Sequence, residues 1–133
     1  MEPIFQYKMK VRDYELDAQG IVNNANYQHY YEVTRHEFLE SNGISFTELH
    51  DQGIDAVVSS ITIKYKKPLV GSDEFNCTVN IEKKGIRYIF NQEIIRISDN
   101  VVCSEASVEV VCIVNGQLSY PEALDKMLEK YIS

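Results

Sequence analysis

Cysteine is scarce in this chain, positive charge is in deficit, and long apolar runs are missing. Each shortage removes a class of protein. The three cysteines, Cys77, Cys103 and Cys112, are odd in number and none has a C-x-x-C partner. That argues against a disulfide framework and a zinc site, and makes them small buried hydrophobes of strands. The start, Met1-Glu2-Pro3-Ile4-Phe5, has no basic region leading into an apolar core, so no secretory signal is expected. No stretch approaches the ~18 apolar residues of a membrane span. Lys and Arg number 13 against 20 Asp and Glu, a formal net charge of −7. Such a surface repels nucleic acid and anionic lipid. What remains, 133 residues with 44% hydrophobic and 25% charged, suits one globular domain over 1–133. The expected setting is the cytoplasm.

The pattern along the chain is strand, long helix, short helix, four strands and a last helix. Phe5, Tyr7, Met9 and Val11 alternate with Gln6, Lys8, Lys10 and Arg12, the period of a half-buried strand. After an irregular stretch, Tyr27, Tyr30, Tyr31, Thr34 and Phe38 recur at the spacing of one helix face. Asn23 or Asn24 is its candidate N-cap, and Gly43 stands where it should end. Ser45-Phe46-Thr47-Glu48 reads as a capping box for a short second helix ending near Gly53. Strands are expected over Val57–Lys66, where Pro68 stops the run, and over Phe75–Ile81, Tyr88–Ile97 and Val102–Val114. Turns fall at Lys83-Lys84-Gly85, Ser98-Asp99-Asn100 and Asn115-Gly116. A second capping box, Ser119-Tyr120-Pro121-Glu122, opens a helix from about Pro121 to Tyr131. Strands in succession joined by short turns predict an antiparallel meander. The Tyr-rich stripe must be buried, and the concave face of a curved sheet is the place for it. The expected fold is therefore α+β, one long central helix wrapped by a five-stranded antiparallel sheet. The edge of so small a sheet invites pairing with a second copy.

The chemistry concentrates between the first strand and the long helix. Tyr14-Glu15-Leu16-Asp17-Ala18-Gln19-Gly20-Ile21-Val22-Asn23-Asn24-Ala25-Asn26-Tyr27 places carboxylates, a glycine turn and three asparagines before a helix N-terminus. That terminus offers unpaired N–H groups and a partial positive charge, able to hold the oxygen of a polarised carbonyl. A nearby carboxylate could attack the carbonyl carbon or activate a water to do so. By residue physics alone, Asp17 is equally a cap or turn residue.

The stretch from Asp17 to Tyr27 resembles the signature of the 4-hydroxybenzoyl-CoA thioesterase family of hotdog-fold proteins. That signature is an Asp, two variable residues, a Gly, an aliphatic pair, two variable residues, a small residue, Asn or Ser, then Tyr. Glu32-Val33-Thr34-Arg35 and Ile63-Lys64-Tyr65-Lys66-Lys67-Pro68-Leu69 resemble further pieces of the same family, and the element order matches along nearly the whole chain. Ile21-Val22-Asn23-Asn24 is also similar to the His-Val-Asn-Asn segment of acyl-ACP thioesterases. The resemblance implies a hotdog fold, and Asp17 as nucleophile or general base at a thioester carbonyl. It implies N–H groups near Asn24 as the oxyanion hole, and a site lying between the helix start of one subunit and strands of its partner. Many relatives carry His or Tyr where this chain has Asn24, and the acyl-ACP enzymes usually have His at the place of Ile21. Asn24 can orient a water or donate to an oxyanion, but it cannot shuttle a proton near neutral pH. Catalysis then leans on Asp17.

The remaining candidates are weaker. His29 and His36 stand two helical turns apart, ~10 Å along the axis, too far to share an ion, and His50 has no partner in the pattern. No metal or redox cofactor is expected; coenzyme A enters only as part of the substrate. Ser59 and Ser60 lack the sharp turn of a serine nucleophile and are read as pocket walls. Among the basic clusters, Lys67 and Arg87 are the candidates for coenzyme A phosphates. Asn23 and Tyr27 are expected to border the substrate. The leading expectation is hydrolysis of a small-molecule acyl-CoA to free acid and coenzyme A by a homodimer, or a dimer of dimers. The rivals are an acyl-ACP thioesterase and a non-catalytic acyl-CoA-binding module.

Overall fold

Period-two patterning becomes sheet and the tyrosine stripe becomes its filling. The computed structural model describes residues 2–132. In chain order it contains β1 (Phe5–Lys10), α1 (Asn24–Ser41), α2 (Phe46–Asp51), β2 (Ile54–Tyr65), β3 (Glu74–Lys84), β4 (Arg87–Arg96), β5 (Val101–Val114), β6 (Gln117–Leu118) and α3 (Glu122–Leu128). Short 3-10 turns cover Asp13–Glu15 and Glu129–Tyr131. The architecture is the expected hotdog: a curled antiparallel sheet around one long helix. No helix of the described residues is long and apolar enough to cross a membrane.

All five residues of the predicted helical stripe, Tyr27, Tyr30, Tyr31, Thr34 and Phe38, are buried, together with Arg35 and Leu39. They meet Phe75, Cys77, Val79 and Ile81 of β3, Phe90 and Ile94 of β4, and Val108 and Cys112 of β5. Fully burying one such apolar side chain is worth about 1.5–3 kcal/mol, so this seam is the main source of cohesion. The Tyr31 hydroxyl donates to Ser104 Oγ at 2.7 Å, and Ser104 Oγ donates to the carbonyl of Lys64 at 2.9 Å, tying helix to sheet inside the core. All three cysteines are free and buried, and burial pushes the Cys77 thiol up to about 12.

The order of the sheet corrects the meander. It runs β1-β3-β4-β5-β2, with β6 beside β5. β3, β4, β5 and the two-residue β6 form a meander that β2 does not join. β2 lies on the far edge, paired along most of its length with β5, from Ile54↔Val114 to Tyr65↔Ser104. Pro68 stops β2, the Lys66 and Lys67 N–H groups bond to the carbonyl of Cys103, and the chain crosses the end of the sheet before starting β3 beside β1. Following β2 with a tight hairpin would have left α1 uncovered on one flank; the crossover lets β2 and β1 close from opposite sides.

Two local expectations also change. Asn115 and Gly116, at φ 50° and 81°, make a tight turn that returns the chain as β6, so the sheet has a short sixth strand. The second capping box does not form. Pro121, which has no side-chain acceptor, occupies the cap position of α3, two residues after Ser119, whose N–H bonds the carbonyl of Cys112 as the chain leaves β6. α3 ends at Leu128, before the 3-10 turn that reaches Tyr131. It is held from the sheet, where the Lys83 ammonium and the Tyr88 hydroxyl both donate to Asp125.

Candidate active site at the start of the central helix

The segment between β1 and α1 folds into a small hairpin. Leu16 and Val22 bridge antiparallel, and between them the Asp17 N–H donates to the carbonyl of Ile21 at 2.8 Å. The Gly20 N–H returns to the carbonyl of Asp17 at 3.0 Å. Gly20 sits at φ 79°, a left-handed conformation that a side chain would strain. Asp17 Oδ1 accepts the Gln19 N–H at 2.8 Å, an Asx turn that fixes the half-buried carboxylate at the hairpin tip.

The hairpin is pinned from beneath. Glu15 is buried, and its Oε1 accepts from the Arg12 N–H at 2.7 Å and from the Tyr30 hydroxyl at 2.9 Å. Burial and that carboxylate push the Tyr30 hydroxyl well above its ordinary value. The Glu15 carbonyl accepts from the Asn23 N–H and the Asn26 side-chain amide, so the chain enters α1 in one geometry. Asn23 is the N-cap, its Oδ1 accepting from the Ala25 N–H at 3.0 Å. Among the described residues no hydrogen bond is made by the Asn24 N–H, and the first turn of α1 carries no acidic side chain. The positive end of the helix therefore stays available beside Asp17.

The crossover after β2 forms the other wall. The Val22 N–H bonds to the carbonyl of Leu69, Ile21 bridges Val70, and the Leu69 N–H donates to the Tyr27 hydroxyl at 3.1 Å. Tyr65, at the end of β2, stands edge-on to Tyr27 at 5.1 Å and donates its hydroxyl to the carbonyl of Asn24 at 3.3 Å.

A family model of the thioesterase-like superfamily matches residues 11–130. The chain belongs to the thioesterase-like superfamily. The expectation of a hotdog thioester hydrolase stands. The chain is 33% identical over 126 residues to a protein of Aquifex aeolicus named as an esterase, covering 94% of this chain and 98% of that one. The crystal structure of an Aquifex aeolicus protein matches at a TM-score of 0.86 and 32% identity, covering 93% of this chain and 98% of the other. The long-chain acyl-CoA thioesterase FadM of Escherichia coli is 36% identical over 109 residues, 81% of this chain and 82% of FadM. The chloroplast acyl-acyl carrier protein thioesterase ATL2 of Arabidopsis thaliana is 35% identical over 111 residues, 83% of this chain and 59% of ATL2.

Of the residues singled out in this thioesterase-like chain, Asp17, Asn23, Asn24 and Tyr27 belong to the hairpin and first turn of the helix, and Lys67 lies in the crossover two residues before Leu69, whose N–H meets Tyr27. Lys67 is exposed in the crossover and makes no ion pair among the described residues, whereas Lys66 is paired with Glu105 at 2.6 Å and Arg96 with Asp99 at 2.7 Å. Ser59, Ser60 and Arg87 gather elsewhere. Ser59 sits in a bulge of β2 and donates to the carbonyl of Glu109, Ser60 donates to the Glu109 carboxylate, and Arg87 approaches it at 3.9 Å. Ser60 is five residues up β2 from Tyr65, ~17 Å, so one chain does not bring this second group to Asp17. No group of three His, Cys, Asp or Glu among the described residues could hold a metal. The histidines are spent separately: His36 packs on Phe46 at 4.7 Å, and His50 pairs with Asp55 at 2.6 Å.

Sequence reasoning missed Glu15 and Tyr65. Glu15 lies inside the motif, but only the buried contact with Tyr30, fifteen residues on, marks its position as structural. Tyr65 belonged to a stretch read as strand, and only the position of β2 brings it to Asn24.

Proposed function

We propose that the protein hydrolyses acyl-CoA thioesters to a free acid and coenzyme A. Water adds its oxygen to the acyl carbon, the carbon–sulfur bond breaks, and the thiol leaves with a proton. The thioester oxygen is held by the open N–H groups at the start of α1, and Asp17 acts as nucleophile or as the base that takes the proton of water. The observation that carries this reading is the Asp17 carboxylate fixed by an Asx turn beside the unbonded Asn24 N–H. Such an oxyanion donor is worth ~100–1,000-fold in rate. Asn23 and Tyr27 border the substrate, and Lys67 meets the coenzyme A phosphates.

The same reading makes the protein a homodimer that pairs through β2, or a dimer of such dimers. That strand is a sheet edge, with Val57 46% and Val58 43% exposed. Ser59, Ser60 and Arg87 then serve the partner's Asp17. A monomer in sedimentation at micromolar concentration sinks this arrangement.

An acyl-ACP thioesterase is the second reading, favoured by 45% identity over 75 residues to the Arabidopsis acyl-acyl carrier protein thioesterase ATL3. Wild-type protein and Asp17→Asn are compared on acyl-CoA and acyl-ACP of equal chain length. The expectation is faster thiol release from acyl-CoA and its loss in the variant. Equal rates for both proteins remove Asp17 from the mechanism. Tight acyl-CoA binding without thiol release by the wild type leaves a binding module.

A further inference from the structure

Glu15 is a buried carboxylate that the proposed hydrolysis does not use, 8% exposed beneath the hairpin of Asp17. Burying a carboxylate is costly, and hydrogen bonds must answer it. Both donors fall on one oxygen: Oε1 accepts the Arg12 backbone N–H at 2.7 Å and the Tyr30 hydroxyl at 2.9 Å. The Glu15 backbone is engaged as well. Its carbonyl accepts the Asn23 N–H at 3.0 Å and the Asn26 side-chain amide at 2.9 Å.

These bonds reach α1 at two heights. Asn23 and Asn26 belong to its cap and first turn, and Tyr30 stands six residues after Asn24, ~9 Å down the axis. A segment tied at one point can pivot; tied at two points along a helix, it keeps one tilt. Tyr30 is a firm anchor, buried with its ring centroid 4.8 Å from that of Phe75 in β3. The hairpin needs this tie. Its Ile21–Val22 strand is held by the crossover, through the bridge of Ile21 to Val70 and the bond from the Val22 N–H to the Leu69 carbonyl. Its other strand carries Asp17, two residues beyond Glu15, with Leu16 extended between them at φ −86° and ψ 145°. Among the described residues, the hydrogen bonds of Leu16 and Asp17 stay within residues 13–22. Glu15 is therefore where the strand of Asp17 is fastened to the helix.

Hydrolysis needs Asp17 at the acyl carbon while the Asn24 N–H meets the oxygen, and a misplacement of ~1 Å can cost ~100-fold in rate. Bonds to a carboxylate are strong enough to hold such a geometry. We propose that Glu15, seated on Tyr30, is a positioning residue: it sets the place of the Asp17 carboxylate against the open end of α1 and touches no substrate itself. Its role rests on the hydrolysis proposed above and adds the group that keeps the two working parts in register.

The test is steady-state hydrolysis of decanoyl-CoA by the full chain and its variants, with circular dichroism to check each fold. Tyr30→Phe keeps the ring and removes one donor; it is expected to lower kcat about tenfold with KM within about twofold. Glu15→Ala should lower kcat about 100-fold. No hydrogen bond among the described residues falls on Oε2, so Glu15→Gln can keep both contacts and should restore kcat to within about threefold of wild type. The double variant Asp17→Asn/Glu15→Ala separates positioning from folding. With the carboxylate gone there is nothing left to place, and the second substitution should cost less than about threefold beyond Asp17→Asn. A residue that only keeps the chain folded costs equal factors in both backgrounds. Should Glu15→Ala not fold, Tyr30→Phe combined with Asp17→Asn makes the same comparison.

Equal factors in the two backgrounds, a change in KM alone, or Glu15→Gln as slow as Glu15→Ala overturns the positioning role. If Asp17→Asn is inactive while Glu15→Ala and Tyr30→Phe keep full kcat, the hydrolytic reading stands and the positioning role alone fails. Asp17→Asn hydrolysing like wild type, or a wild type that releases no thiol, overturns both.

Discussion

Asp17 and Arg35 show how differently two charged side chains can be placed by one chain. Asp17 sits at a solvent-facing hairpin tip, fixed by its own neighbours. Its replacement by Asn keeps the shape and the Gln19 contact but removes the negative charge. Asp17→Asn is expected to lower kcat on acyl-CoA by about 100-fold or more, the scale of a lost general base or nucleophile, with the melting temperature little changed. A thiol-release assay beside a thermal melt checks both halves. Arg35 is the opposite case, held by one hydrogen bond in a buried setting that lowers its proton affinity through desolvation. Arg35→Met is expected to leave stability unchanged or raise it by about 1–2 kcal/mol, read from urea unfolding, because a poorly compensated buried charge is removed. A loss of several kcal/mol would mean that the guanidinium is held by more than Gln92. Asp17 was legible in the sequence because a local motif surrounds it. Arg35 was seen only as one letter of Glu32-Val33-Thr34-Arg35, since its meaning depends on Gln92, fifty-seven residues away.

Elements were legible where their signals are local. The stripe from Tyr27 to Phe38 is the buried face of α1, and Asn23 caps it as the short amide before the first turn suggested. Asn23→Ala is expected to cost about 1 kcal/mol in urea unfolding by removing the bond to the Ala25 N–H. Stability unchanged within a few tenths would show that the hairpin bond from the Asn23 N–H to Glu15 sets the helix start alone. Signals failed where the helix began behind a residue that cannot cap. Ser119 carries the residue type of a cap, but α3 begins two residues later behind Pro121 and is positioned by Asp125 meeting Lys83 and Tyr88. Two residues after the Asn115-Gly116 turn pair with β5 as β6, too short a strand for periodicity to reveal.

The whole molecule behaves as a shell of strands around hydroxyl-bearing rings. Tyr30, Tyr31 and Tyr88 all have their ionisation pushed upward, first by burial. In the unfolded chain a tyrosine ionises near pH ~10. Their raised folded values contribute stability that is fully present below that pH and is lost as pH rises through the folded values. Unfolding monitored together with tyrosinate absorbance should therefore show stability steady up to about pH 10 and falling beyond it, with the buried rings ionising as the fold opens. Early ionisation of all the rings, without unfolding, would contradict their burial. By itself the sequence determined the main strands and helices, the buried face of the helix, the glycine turn after Asp17 and membership of a hotdog thioesterase family, because each is written in residues close along the chain. Only the tertiary structure decided that β2 lies beside β5, that Tyr65 reaches Asn24, that Ser59, Ser60 and Arg87 meet at Glu109, and that buried Arg35 meets Gln92. These are contacts between distant residues, set by how the sheet curls around the helix, and no period or local motif encodes that closure.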